Sequence, residues 1–191
     1  MAYVHNVKKY DMENTGPWGA STSIWFNHCP HHCVGCWNEE TWERKESLYE
    51  DNKEVVAECL EGLTGQMKLT TLALLGGDPL SPLNINDTIE IVTDIKAVLP
   101  SIKVVCWTGF LYNQVEHSKA LAPILPLIDV LIDGRYDQEH RITGERFGSS
   151  NQRCIDVPAT LAAGKIILNG DFYLKRGEDS FFKNQHDFKE K

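Results

Sequence analysis

Residues 21–37 read STSIWFNHCPHHCVGCW, in which a short run of β-branched and apolar residues is followed at once by three cysteines. Residues 21–27 have the composition of a β-strand, so Cys29, Cys33 and Cys36 are expected to share one tight loop at the carboxyl end of that strand. Three thiols on such a loop are able to converge. The stretch therefore predicts a metal site at a strand end.

The strand pattern of residues 21–27 returns further along the chain. Similar runs recur at residues 69–75, 102–107 and 128–132. Apolar residues at helical spacing lie between and after these runs, at residues 55–63, 85–99 and 111–121. Strands that alternate with helices are typical of βαβ units. The order predicts an α/β fold with a mostly parallel sheet, to which residues 153–157 add an edge strand.

Length and composition restrict the classes of function. The 191 residues suit one domain with a core, and a hydrophobic content of 42% is ordinary for a globular protein. A net charge of -8 gives no basic footprint, which speaks against a nucleic-acid binder and favours a protein or small-molecule partner. No apolar run approaches about 20 residues, and the first 11 residues lack the apolar segment of a signal peptide. We therefore expect a cytoplasmic protein that makes no membrane contact.

Two segments of the chain differ in composition. Residues 1–168 carry the strand and helix patterns, and we expect them to form one catalytic domain. Residues 169–191 are charged and polar with scattered aromatic side chains. This composition predicts a C-terminal extension that is poorly ordered or serves as a docking tail.

The three clustered cysteines allow two kinds of metal site. Thiols stay reduced in the cytoplasm, so cysteines there are metal ligands or buried residues rather than disulfides. A cubane iron–sulfur cluster normally takes four thiolates, and a loop with three leaves one iron open to a substrate. The alternative is a zinc site completed by His28, His31 or His32, although structural zinc usually takes its ligands as two separated pairs. On spacing alone, both kinds of site remain open.

The neighbours of the cysteines carry a more specific resemblance. Residues 29–42, CPHHCVGCWNEETW, resemble the cluster loop of the anaerobic ribonucleoside-triphosphate reductase activating proteins, a family within the radical S-adenosylmethionine superfamily. Further segments resemble motifs of that family in the same order, namely GGDPL at 76–80, WTG at 107–109, DVLIDG at 129–134 and GSSNQ at 148–152. The resemblance covers about residues 14–157.

The resemblance implies an oxidoreductase of the glycyl-radical-activating kind. Such an enzyme holds one 4Fe-4S cluster on the three cysteines and cleaves S-adenosylmethionine reductively to methionine and a 5′-deoxyadenosyl radical. The radical then generates a glycyl radical on the partner, the anaerobic ribonucleoside-triphosphate reductase. The resemblance also implies a low-potential electron donor such as flavodoxin, and a shortened, incomplete (β/α)6 barrel with a mostly parallel sheet.

By similarity, two short segments and one strand end contact S-adenosylmethionine. The predicted contacts are Gly35, Cys36, Trp37, Gly76, Gly77, Asp78, Pro79 and Thr108. Asp78 stands where the commoner form of the superfamily motif has Glu. No catalytic side chain is predicted beyond the cluster ligands, the three histidines of the loop are expected to face solvent, and Asp133 has the position of a turn residue.

Three other functions fit some of these features. The chain could be a different member of the superfamily, either an activase of another glycyl radical enzyme or a deazapurine synthase. It could also be a zinc-binding interaction module without catalysis. An electron-transfer iron–sulfur protein is the third alternative, but it would normally supply a fourth cysteine.

Overall fold

A mixed β-sheet with helices on one face organises the chain in the computed structural model, which describes residues 1–173. The strands are β1 Ala2–Gly16, β2 Gly19–Phe26, β3 Tyr49–Glu50, β4 Thr71–Gly76, β5 Lys103–Trp107, β6 Val130–Asp133 and β7 Arg153–Asp156. The α-helices are α1 Asn52–Thr64, α2 Ile85–Val98, α3 Tyr112–His117 and α4 Val157–Ala163. Short 3₁₀ helices lie at Glu39–Thr41, Glu46–Leu48, Ala122–Leu127, Gln138–His140 and Gly170–Phe172.

The centre of the sheet is parallel and its flanks are antiparallel. Strands β2, β4, β5 and β6 pair in parallel, whereas β1 is antiparallel to β2 and β7 is antiparallel to β6. The order across the sheet is β3-β1-β2-β4-β5-β6-β7. The carboxyl ends of the four parallel strands therefore meet at one rim. Within residues 1–173 no ladder joins β3 to β7, so the sheet is open, and its relation to a (β/α)6 barrel stays a prediction.

Alternate residues of the central strands face two different environments, as the period of two in a strand requires. Ile24, Leu74 and Cys106 belong to the main core, which also includes the apolar faces of α1 and α2. Val105 and Ile132 point the other way and pack in a smaller cluster without these helices. Trp25, Leu75 and Trp107 alternate with the core residues and line a cavity. The helices thus cover one face of the central sheet and leave the rim of the opposite face accessible.

The structure agrees with most of the predicted elements. The predicted strands at 21–27, 69–75, 102–107 and 128–132 correspond to the parallel strands, and the predicted edge strand at 153–157 is confirmed as β7. The helix predicted at 111–121 is wrong in length, since α3 ends at His117 and a 3₁₀ helix begins at Ala122. The first 16 residues were given no element, yet they form the longest described strand.

The predicted start of the polar extension at Asn169 needs correction. Phe172 and Tyr173 are buried, and they pack with Phe147 and Cys154 in the smaller cluster. Residues 169–173 are therefore part of the packed domain, because their aromatic side chains cover one face of the sheet. The rest of the predicted extension, residues 174–191, lies outside the described residues.

All helices within residues 1–173 are too short or too polar to serve as transmembrane spans.

Candidate functional site

A cavity of about 540 Å³ lies at the rim where the parallel strands end. This volume falls within the usual range for small-molecule sites. Its apolar wall includes Trp25, Leu75 and Trp107, which end or nearly end β2, β4 and β5. The three clustered cysteines line the same cavity. Ligands of α/β proteins bind beyond the carboxyl ends of parallel strands, and in this protein that place is occupied by the cysteine loop.

The cysteine loop is sharply folded directly after β2. His28, His32 and Gly35 have φ values of 78°, 48° and 71°, in the left-handed region that most side chains avoid. The backbone N–H of Cys29 donates to the carbonyl of Trp42, at 3.1 Å, and that of Cys36 donates to the carbonyl of Cys33, at 3.0 Å. These turns bring all three thiols to one side of the loop, where they face the cavity.

Backbone N–H groups point at each of the three sulfurs. Those of His31 and His32 donate to Cys29, that of Tyr136 donates to Cys33, and that of Asn38 donates to Cys36 at 3.4 Å. Such donors stabilise a thiolate ligand and adjust the potential of an iron–sulfur cluster. The donor set fits thiolates that bind a cluster.

Burial makes two of the thiols weak acids in the metal-free chain. Burial raises the pKa of the Cys29 thiol to about 12, and the nearby carboxylate of Asp78 acts in the same direction. Burial also raises the pKa of Cys33. Since only the thiolate binds a metal, ligation releases protons and therefore becomes more favourable as the pH rises.

The histidines of the loop each have a partner within the protein. His28 Nδ1 lies 3.1 Å from Ser81 Oγ, His31 Nε2 lies 2.7 Å from Asp78 Oδ2, and His32 stacks on Trp42 with ring centroids 4.9 Å apart. These contacts hold the three rings in place around the thiols.

The other three cysteines are not available as a fourth ligand. Cys59, Cys106 and Cys154 are all fully buried in the two apolar clusters. Each therefore has the role of a buried residue, one of the two roles expected for cysteines in this chain. The loop therefore offers three thiolates and no fourth, which fits a cubane with one iron left without a protein ligand.

The glycine turn after β4 lies against the start of the cysteine loop. The N–H groups of Gly77 and Asp78 donate to the carbonyls of Phe26 and His28, at 2.7 and 2.9 Å. Gly76 has a φ of 98°, and a Cβ on Gly77 would lie 2.5 Å from the His28 carbonyl oxygen. Only glycine fits at both positions. The turn thus brings bare backbone to the cavity wall beside the thiols.

Asp78 is a buried carboxylate that joins three elements. It accepts hydrogen bonds from the Leu80 N–H at 2.8 Å, from the Thr108 hydroxyl at 3.0 Å and from the Gly109 N–H at 3.0 Å. The ring of His31 completes the set. Thr108 was predicted to bond the adenosyl group, but its hydroxyl donates to Asp78 and accepts from the Phe110 N–H at 3.2 Å. Its proton is committed within the protein.

The structure gathers most of the predicted site residues around the cavity. The lining includes Cys29, Cys33, Cys36, Trp37, Gly76, Gly77, Asp78 and Thr108. Gly35 and Pro79 do not line it, because Gly35 faces the side chain of Gln138 and Pro79 is buried behind the turn, where its carbonyl accepts from Thr88. Their contact with the cofactor stays a prediction.

Several lining residues were missed by the sequence reasoning. His31, expected to face solvent, is 4% exposed. Asn38 bonds both the cysteine loop and the carbonyl of Gly76. Residues 142–148 form the far wall, in a loop closed by the bridge between Arg141 and Ser149. The closing motif at 148–152 was a signal for this wall, and Asn38 lies within the motif at 29–42, although the sequence analysis gave it no role.

Comparisons with known proteins agree with the geometry. A family model described as a 4Fe-4S single cluster domain matches residues 15–155. Several similar proteins are named "Anaerobic ribonucleoside-triphosphate reductase-activating protein". That of Vibrio cholerae is 32% identical over 152 residues, covering 78% of this chain and 94% of the relative. That of Escherichia coli K12 is 33% identical over 150 residues, with the same coverage.

A relative from a virus has the same name as the bacterial relatives. The protein of the same name from Enterobacteria phage T4 is 32% identical over 139 residues, covering 72% of this chain and 84% of the relative. The family model spans the cysteine loop, the glycine turn and the far wall of the cavity. The chain therefore carries a 4Fe-4S single cluster domain and belongs to the family of anaerobic ribonucleoside-triphosphate reductase-activating proteins.

Proposed function

We propose that this chain activates an anaerobic ribonucleoside-triphosphate reductase by generating a glycyl radical on it. The observation that carries the proposal is that three thiols, with no fourth available, share one rim cavity with the exposed backbone of the glycine turn. When bound, a 4Fe-4S cluster supplies the electron that cleaves S-adenosylmethionine into methionine and a 5′-deoxyadenosyl radical, which takes a hydrogen atom from a glycine of the reductase.

The residues of the chain divide the work of binding. Cys29, Cys33 and Cys36 hold the cluster, and the backbone N–H donors around the loop stabilise their thiolates. The turn at Gly76 and Gly77 packs its backbone against the start of the cysteine loop and lines the cavity beside the thiols, a place that suits contact with the methionine end of the cofactor. Binding and orientation are thus the contribution of the protein.

The walls of the cavity suit a reaction that must be kept from water. The indoles of Trp25 and Trp107 and the side chain of Leu75 form an apolar face, and the loop at 142–148 lines the same cavity. An apolar lining limits the contact of a reactive species with water. The open sheet leaves the rim accessible to a segment of a protein partner, which accords with a shortened, incomplete barrel. A low-potential carrier such as flavodoxin is the proposed electron donor.

The test is a direct observation of the product radical. The reconstituted protein is incubated without oxygen with dithionite, S-adenosylmethionine and the reductase, and a glycyl doublet is sought by electron paramagnetic resonance. We expect the doublet together with 5′-deoxyadenosine. Cys33→Ala should abolish both, and Cys59→Ala, a change in the core, should retain both.

Other outcomes separate the alternatives. Formation of 5′-deoxyadenosine without a doublet would keep cofactor cleavage and refute this partner, in favour of another radical enzyme of the superfamily. Bound zinc without charge-transfer absorption would refute catalysis and support an interaction module.

A further inference from the structure

We propose that His31 is a positioning residue, which acts through Asp78 to hold the cysteine loop and the glycine turn in one fixed relation. The inference rests on the proposed function, since it concerns how the site receives S-adenosylmethionine. It assigns a role to a side chain that lies between two cluster ligands without being one of them.

The contact between His31 and Asp78 is short and shielded from water. Nε2 of the ring lies 2.7 Å from Oδ2 of the carboxylate, and the two side chains are 4% and 1% exposed. A carboxylate only accepts hydrogen bonds, so Nε2 is the donor. The other ring nitrogen, Nδ1, is buried without a hydrogen-bond partner among the described residues. Asp78 therefore supplies the polar contact that orients the ring.

Packing leaves the ring of His31 little freedom. The edge of Phe110 meets it with ring centroids 4.6 Å apart and planes at 75°. A Cβ on Gly109 would lie only 2.3 Å from the ring, so the end of β5 approaches it as closely as backbone allows. A rotated ring would clash with one of these neighbours. The contact with Asp78 is thus fixed by shape as well as by hydrogen bonding.

Hydrogen bonds join the cysteine loop to the glycine turn at three points among the described residues, and His31 makes the middle one. At the start of the loop, the His28 carbonyl accepts from the Asp78 N–H. At its end, the side-chain amide of Asn38 donates to the Gly76 carbonyl, at 3.3 Å. Between Cys29 and Cys33 the described side-chain contacts are those of His31 with Asp78, of His31 with Phe110 and of His32 with Trp42. Only the first of these reaches the turn.

The same carboxylate also bonds the end of β5. With Leu80, Thr108, Gly109 and His31 as donors, both oxygens of Asp78 are taken up by the protein. Asp78 therefore connects the cysteine loop, the segment after β4 and the end of β5. A change at His31 should shift the turn relative to the thiols while all three ligands stay present.

The test compares His31→Ala with His31→Gln, whose amide donor takes the place of Nε2. The control is His117→Ala, a histidine whose side chain is exposed on α3 and lies outside the cavity lining. Each variant is reconstituted without oxygen. We then measure three properties: the iron and sulfide content, the electron paramagnetic resonance spectrum of the reduced cluster with and without S-adenosylmethionine, and kcat and KM for the formation of 5′-deoxyadenosine. We expect His31→Ala to keep wild-type iron content, to raise KM about 10-fold or more, and to alter the spectrum with S-adenosylmethionine. His31→Gln should recover most of the change, and His117→Ala should match wild type.

The failures are distinguishable. A wild type that forms no 5′-deoxyadenosine would refute the proposed function. An active wild type with a His31→Ala variant of unchanged KM and spectrum would refute the role of His31, as would an equal effect of His117→Ala. If His31→Ala takes up no iron, Thr108→Val, which removes a different donor to Asp78 and keeps the shape, decides: a raised KM supports the inference and an unchanged KM overturns it.

Discussion

Two buried aspartates mark the ends of two parallel strands, and they differ in what they hold. Asp78 follows β4 and Asp133 ends β6, and both are essentially inaccessible to solvent. Asp133 pairs with Arg153 of β7, at 3.0 Å from Nε and 2.5 Å from Nη2, and accepts from the Tyr112 N–H. Asp78 pairs instead with His31 of the cysteine loop. Only Asp78 lines the cavity.

The comparison shows that burial and position alone do not identify a site residue. Both carboxylates are buried, hydrogen-bonded and placed at the rim, so the difference lies in the element that supplies the partner. A partner on β7 joins two strands of the scaffold. A partner on the cysteine loop joins the scaffold to the candidate cluster ligands.

Removal of the scaffold carboxylate should produce the largest effect. Asp133→Ala removes the carboxylate that pairs with the partly buried guanidinium of Arg153, and loss of one member of a buried pair typically costs about 3 kcal/mol or more. We expect the free energy of unfolding to fall by about that amount, measured by urea denaturation. The affinity of the folded, reconstituted protein for S-adenosylmethionine should stay within about twofold, since Asp133 lies outside the cavity lining.

The matching change at the site should act on binding. Asp78→Asn replaces one carboxylate oxygen, an acceptor, with an NH2 group, which only donates. The NH2 group would face groups that are themselves donors, namely those of His31, Thr108 and Gly109. We expect the affinity for S-adenosylmethionine to fall about 10- to 100-fold, measured by equilibrium binding to the reconstituted protein. An Asp78→Asn protein that binds normally, or an Asp133→Ala protein that binds as poorly, would remove the distinction between the two carboxylates.

A third buried carboxylate gives a smaller, pH-dependent effect. Burial raises the pKa of Asp11, but hydrogen bonds from Ser23 and Asn14 and from backbone N–H groups outweigh it and hold the pKa below its ordinary value. Ionised Asp11 therefore contributes stability at neutral pH, and the contribution is lost as the pH falls through the lowered pKa. The free energy of unfolding, measured by urea denaturation, should be higher for the wild type than for Asp11→Asn by about 1 kcal/mol at neutral pH and by less near pH 3. A difference that grows in acid would contradict this sign.

The sequence predicted the centre of the sheet better than its flank. The parallel strands were recognisable because strands covered on both faces are continuous apolar runs. Strand β1 was missed because its sequence, AYVHNVKKYDMENTG, is rich in charged and polar residues and its pairing with β2 is interrupted by irregularities. Phe172 and Tyr173 were missed because a polar composition around them outweighed two aromatic residues.

At the site, spacing predicted a metal loop, and the resemblance of the surrounding motifs predicted the cofactor contacts. The three cysteines are recognisable because the thiols must lie on one loop, whereas the glycine pair was assigned to the cofactor through its motif, and the structure shows that only glycine fits that turn. The pair of His31 and Asp78 was not predictable in the same way, because 47 positions separate the two residues and strand order alone brings them together. The same holds for Thr108, whose hydroxyl was assigned to the cofactor and is bonded to Asp78.

The most direct test of the central claim is the metal content of the protein and its response to S-adenosylmethionine. After reconstitution without oxygen we expect about four irons and four sulfides per chain. The electron paramagnetic resonance spectrum of the reduced cluster should change when S-adenosylmethionine is added. Cys29→Ala, Cys33→Ala and Cys36→Ala should each lose this response. A single zinc per chain, or a cluster whose spectrum ignores S-adenosylmethionine, would contradict a site built from three thiolates with one iron left open.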